Sequence, residues 1–180
     1  MKKLFLSIIA ATFGFAALAV TSGDGSGVAI QTREFALNND SITLTQTSGT
    51  NAYGSLALGN LPEGLIVIHG VVADIGGVIA LNAGGVTNTI FLKGGVGTAA
   101  ASSSVLTGTV VDVLSQNVAS TGWTNRVTKL SGVSSAVTVS DGTAAAKTLY
   151  LNVATASSST GGTLSANGKV KITFSNIGDK

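Results

Sequence analysis

The sequence predicts an all-β protein: a jelly-roll-like antiparallel β-sandwich of about eight strands, preceded by an N-terminal apolar leader or arm. Three observations predict it. Beyond Glu34, short apolar runs alternate with polar residues and are broken by turn residues roughly every eight to twelve positions. Many polar positions are Ser, Thr or Asn beside 24 glycines, which suits pleats and tight turns and weakens long helices. Charged residues are only 10% of the chain, against roughly 25% in an ordinary soluble domain. Such a surface suits life inside an assembly.

The chain opens with "MKKLFLSIIAATFGFAALAVTSGDGSG". Lys2 and Lys3 precede an apolar run from Leu4 to Val20, and Ala17-Leu18-Ala19 is a small-residue site. This is the pattern of a secretory signal peptide cleaved after Ala19. At about 17 residues the run is near the short limit for a spanning helix. A retained anchor and an arm docking on a neighbouring subunit are the other readings. Residues 1–32 are thus leader and Gly/Ser linker, and residues 33–180 a single β-sandwich domain.

The strands follow in order. "SITLTQTS" alternates Ile42 and Leu44 with Thr43 and Thr45, and "YGSLALG" after it suggests a hairpin. Pro62, the only proline, sets a turn before the run Leu65 to Asp74. "GVIALNAGG" and "NTIFLKGG" read as two further strands. Thr98 to Asn125 reads as a loop-rich connection with one short element, helix or loop. "SSAVTVSDG" ends in Asp141-Gly142, a hairpin turn signal. "KTLYLNVATA" puts Leu149, Leu151 and Val153 on one face and Tyr150 and Asn152 on the other. "NGKVKITFSNIGDK" alternates Val170, Ile172 and Phe174 with Lys169, Lys171 and Thr173, the lysines toward solvent.

Chemistry is sparse. The chain has no cysteine, one histidine and eight carboxylates, and no catalytic, cofactor-binding or metal-binding set emerges. His69 lies within "EGLIVIHGVVADIGG". Alternation places it with Leu65, Val67, Val71 and Ala73, and the opposite face is equally apolar. A strand apolar on both faces belongs inside a sandwich or between subunits, so His69 reads as a structural histidine in a core or interface. A pH-sensitive contact is its functional alternative, since histidine is the side chain that ordinarily changes charge near neutral pH.

The carboxylates at Asp24, Glu34, Asp40, Glu63, Asp74, Asp112, Asp141 and Asp179 are scattered, mostly beside turn residues. "GDGSG", residues 23–27, lacks both the lysine of a phosphate loop and the ligand spacing of a calcium loop, so it reads as linker. The sequon at Asn39 has its bland reading as chance. Trp123, in "STGWTNR", is the one large aromatic in a polar loop; with Arg126 it marks the candidate interaction loop. Net charge is +2 with no basic cluster beyond Lys2 and Lys3, which argues against nucleic-acid binding.

Several segments in order, "REFALNNDSITLT", "AYGSLALGNLPEGLIVIHGVVADI", "TIFLKGGVGTAAASSSVLTGTVVDVL" and "GKVKITFSNIGD", resemble a family of small tailed-phage virion proteins found especially in marine phages. The likeness runs from about Arg33 to Asp179. Lys93-Gly94 stands where that family has an acidic glycine pair. The resemblance implies an oligomeric, non-catalytic capsid decoration protein, located on the virion. Its expected partners are copies of itself, as in a trimer around a closed axis, and the major capsid protein; no cofactor or small-molecule substrate is expected. The leader supports a different expectation, an exported bacterial surface or matrix protein used for adhesion or self-assembly. A carbohydrate-active enzyme ranks third.

Overall fold

The computed structural model describes residues 29–46, 51–81, 92–119, 127–134, 138–155 and 161–178. Nine strands lie within them: β1 (Ile30–Leu44), β2 (Tyr53–Asn60), β3 (Gly64–Leu81), β4 (Leu92–Gly97), β5 (Leu114–Ala119), β6 (Val127–Ser134), β7 (Thr138–Gly142), β8 (Thr148–Thr155) and β9 (Gly162–Asn176). Sheet A has the order β1-β9-β3-β6, with β7 also paired to β3, and sheet B the order β2-β8-β4-β5. All pairings are antiparallel. The expected all-β antiparallel sandwich is what forms.

The pairs are nested: β1 with β9, β2 with β8, β3 with β6, and β4 with β5. The chain therefore runs out along one side of a ribbon and returns along the other, switching sheets at the corners. At one edge β1 and β2 meet through an isolated Thr45–Tyr53 bridge. The contact is close because Gly54 has no side chain: a Cβ there would lie 2.2 Å from the Thr43 carbonyl oxygen. At the other edge β5 lies beside β6.

Alternation fills the space between the sheets. Ile42, Leu44, Val170, Ile172 and Phe174 from sheet A meet Leu92, Val96, Leu149, Leu151 and Val153 from sheet B in one core. Each such side chain contributes about 1.5–3 kcal/mol by leaving water. The alternations read at Ile42/Leu44, Leu149 to Val153 and Val170 to Phe174 all fall on this inner face.

Three expectations need correction, and one strand was not foreseen. "SITLTQTS" and "YGSLALG" are not a hairpin, because they enter different sheets after the single bridge. Asp141-Gly142 likewise ends β7 in sheet A, and β8 begins in sheet B. "GVIALNAGG" is not a separate strand: β3 continues through Gly76 and Gly77 to Leu81. A Cβ on Gly77 would meet the Ser165 carbonyl oxygen at 2.5 Å, so this glycine serves a close approach to β9 and not a turn. Finally, β6 arises from "VTKLSGVS", whose apolar residues fall every third position and show no strand period.

The connection after β4 is an ordered loop with a 3₁₀ turn at Gly108–Val110, followed by β5. The expected span Thr98 to Asn125 thus holds two elements where one was expected, because Leu114–Ala119 pairs with β4 as a strand; residues 120–125 lie outside the described residues.

Candidate functional site

The two outer faces of the sandwich differ. That of sheet B is closed by the chain itself. On β8, Asn152 is fully buried although it points away from the core. Its side-chain oxygen accepts hydrogen bonds from Ser55 Oγ at 2.6 Å and Ala101 N at 2.9 Å, and its nitrogen donates to the carbonyls of Ala99 and Val110. Asp112 accepts from both N and Oγ1 of Thr98 at 2.9 and 2.7 Å, closing the base of the loop. Val111 and Val110 sit over Gly95 and Gly97, where added side chains would lie within 2.5 Å of them. This face is occupied by residues 98–113.

Among the described residues no segment covers the outer face of sheet A. Its side chains follow from strand parity, which two bulges reset. In β1 the odd residues Phe35 and Leu37 point inward until Asn39, at φ 56°, slips the register, after which Ile42 and Leu44 do. In β3 the even residues Ile66 and Ile68 point inward, the register shifts past His69, and Val71, Ala73 and Ile75 take over. His69 is the bulge residue. It falls where β3 exchanges β7, paired to Gly64–Ile68, for β6, paired to Val71–Val78.

Of the two places expected for His69, a core or an interface, the core is excluded: His69 is exposed, because the bulge removes it from the alternation that would have set it beside Val71. Nε2 lies 2.7 Å from Ser175 Oγ on β9. Ser175 is itself buried, and among the described residues no carboxylate is recorded on the imidazole to serve as the orienting acid of a nucleophile relay.

Around this pair the face is aliphatic. Ile30, Ser175, Val67 and Val139 stand opposite one another on β1, β9, β3 and β7. Ile177 adds a further position, its N–H bonded to the Leu65 carbonyl at 2.8 Å. Of the five exposed large hydrophobics among the described residues, four are on this face: Ile30 at 54%, Val72 at 48%, Val139 at 60% and Ile177 at 43%. Alternation along one strand shows no such row, because it is assembled across four.

The other end of the face is charged. Glu34 lies 3.4 Å from the Lys171 ammonium and 3.7 Å from that of Lys169, and Asp74 stands opposite Lys169. These pairs are exposed and worth no more than about 1 kcal/mol each. The lysines face solvent as their alternation predicts.

No family model, curated protein or solved structure matches this chain. Function is thus read from the surface and the sequence.

Two further carboxylates are engaged locally. Asp40 accepts from Asn38 N at 2.9 Å. Asp141 accepts from Thr143 Oγ1 and N at 2.7 and 3.1 Å. These bonds hold its carboxyl below the ordinary 3.8, with Lys147 adding a weaker pull and slight desolvation opposing. In the sequon, Asn39 exchanges side-chain and backbone hydrogen bonds with Asn167. Among the described residues no three His, Cys, Asp or Glu side chains gather as a metal site. Trp123 and Arg126, the candidate interaction loop, lie outside the described residues, as do the leader, Asp24 and Asp179.

Proposed function

We propose that this protein is a non-enzymatic structural subunit of a tailed-phage virion, a decoration or cement protein that acts by packing against copies of itself and the major capsid protein. The observation that carries this reading is the gathering of Ile30, Val67 and Val139 in one row across an outer face of the sandwich, broken by the buried Ser175. Apolar surface gathered in this way marks an interaction site. The sheet order supports the reading: two antiparallel layers built from nested strand pairs, with β7 as an addition, are what a jelly roll would give, and jelly rolls recur in viral capsids. Fold alone does not select a function, so the family resemblance and the low charge supply the class.

The mechanism is burial repeated over a lattice. A standard interface removes about 800 Å² from each partner. Four strand positions about 4.8 Å apart, three of them filled by β1, β9 and β3 and the fourth by β7 and β6 end to end along β3, present a face of about that size. Repetition then converts modest single contacts into avidity.

Mass spectrometry of purified particles tests this: the chain is expected among the virion proteins, and Val139→Asp should fold normally yet incorporate poorly. Absence of the chain from particles would sink the reading. The signal-peptide pattern around Ala17-Leu18-Ala19 favours the second reading, an exported surface or matrix protein. A mature chain beginning near Val20 in a culture supernatant would select it.

A further inference from the structure

The outer face of sheet A has matching chemistry on either side of the line between its two middle strands, β9 and β3. Ile30 on β1 and Val139 on β7 are exposed and lie at opposite ends of one row, equally far from that line. Ile177 and Leu65 flank the line itself, joined by the bond from the Ile177 N–H to the Leu65 carbonyl at 2.8 Å. Lys169 on β9 and Asp74 on β3 flank it farther along, with opposite charge. We propose that a second copy of this chain docks on this face, related to the first by a two-fold axis that lies between the copies and runs parallel to β9 and β3. The inference rests on reading the face as a packing surface, and it names the occupant and its orientation.

That rotation exchanges the two sides of the line. It sets Ile30 against the second copy's Val139, Ile177 against its Leu65 and Lys169 against its Asp74, and it makes each contact twice. A surface that is its own complement under a half turn is what an isologous dimer requires. Lys171, which stands opposite Val72 on the neighbouring strand, comes to lie over the second copy's Val72. Its stem then covers an exposed aliphatic side chain, while its ammonium keeps Glu34 at 3.4 Å. His69 reaches across the line to Ser175 and so meets its counterpart near the axis.

Area selects this axis over one across the strands. Aligned sheets pack with their strand directions within about 30° of each other, so the axis runs either nearly along the strands or nearly across them. An axis across the strands at the aliphatic row stacks the row on itself, but β1 begins at Ile30 and β3 at Gly64. The copies then overlap by about seven residues on four strand positions, about 450 Å². That is little more than half of the roughly 800 Å² a standard interface takes from each partner. An axis across the strands at Glu34 sets Ile30 against Asn38 and Val67 against Gly76, so the aliphatic side chains lose their apolar partners. The axis along the strands overlaps the whole face, about 800 Å² from each copy.

Sedimentation equilibrium of the full chain at about 100 μM tests the association, since interfaces of standard size bind at micromolar concentrations or more tightly. A mass of twice 17.7 kDa is expected. The mass of one chain, or of three, overturns the inference, and this readout needs no variant. Orientation is read with thiols, because the chain has no cysteine and Ile30 and Val139 are exposed. Under oxidation, an equimolar mixture of Ile30→Cys and Val139→Cys chains should form a disulfide-linked dimer about tenfold faster than either variant alone. In each variant alone the two thiols lie three strand spacings apart, about 14 Å, beyond the reach of about 7 Å that a disulfide allows. Equal rates overturn the two-fold. Asp74→Lys and Lys169→Asp should each raise the dissociation constant about tenfold, since like charges then face each other across the interface twice. An equimolar mixture of these two variants should recover the native value, and a mixture no tighter than either variant overturns the placement. Particle composition tests the virion reading separately: a monomeric chain present in particles removes this inference alone, and a dimer absent from particles removes the virion reading alone.

Discussion

The side-chain oxygen of Asn152 accepts a 2.6 Å hydrogen bond from the Ser55 hydroxyl, and the Ala101 N–H lies within 2.9 Å of both oxygens. This junction ties β8, β2 and the loop after β4 together. Asn152→Ala strips partners from the half-buried Ala99 and Val110 carbonyls and empties a fully buried position. The expected cost is about 3 kcal/mol, because unsatisfied buried groups forfeit their hydration. Ser55→Ala leaves Ala101 N its bond to Asn152 and should cost about 1 kcal/mol. Urea unfolding midpoints read both, and equal costs would show that Asn152 does not organise the loop.

Gly97 faces the same loop. A Cβ there would sit 2.3 Å from the Thr109 oxygen and from the Val110 carbonyl, all backbone atoms that cannot rotate away. Gly97→Ala should therefore destabilise by about 3 kcal/mol through overpacking. Gly108 has φ 59° but open space around its would-be Cβ, so Gly108→Ala meets only backbone strain of about 1 kcal/mol. The ratio of the two effects in thermal or urea unfolding separates crowding from conformation.

Asp141 supplies a pH dependence. Its folded pKa is depressed below 3.8, mainly by the Thr143 hydroxyl and N–H. A depressed carboxylate contributes stability that is present above the unfolded value and lost as pH falls through the folded one. The stability difference between the native chain and Asp141→Asn should thus be constant above pH 3.8 and shrink steadily at lower pH. Thr143→Ala should narrow the same acid window. A difference independent of pH would show that the ionised carboxylate has no part in this turn.

Much of the fold is legible from alternation. Ile42 and Leu44, or Val170 to Phe174, declare their inner face by period alone. Sheet membership is not legible in this way. Asp141-Gly142 carries the chemistry of a turn but not the destination of the strand that follows. Gly77 looks like punctuation because the Ser165 carbonyl that requires it is 88 residues away in sequence. The exposed row was hidden for a related reason: Ile30, Val67, Val139 and Ile177 become neighbours only through the pairings of β1, β3, β7 and β9. The exposure of His69 is not legible because a bulge leaves no mark in a run whose two faces are equally apolar.

That ambiguity makes the bulge itself testable. Without it, Leu65, Val67, Val71 and Ala73 share a face. With it, Ile66 and Ile68 join Val71 and Ala73 in the core, and Val67 turns outward. Hydropathy does not distinguish the two arrangements, but their energetics differ. Ile68→Ala should cost about 2–5 kcal/mol as a core cavity, whereas Val67→Ala, on a half-exposed side chain, should cost less than about 1 kcal/mol. His69→Gln keeps a polar group able to reach Ser175 and should change stability by no more than about 0.5 kcal/mol. His69→Ala leaves the buried Ser175 hydroxyl without its partner, at about 1 kcal/mol. Urea unfolding of the four variants decides the parity of β3: a larger cost at Val67 than at Ile68 would mean that the bulge lies elsewhere and that the aliphatic row faces the core.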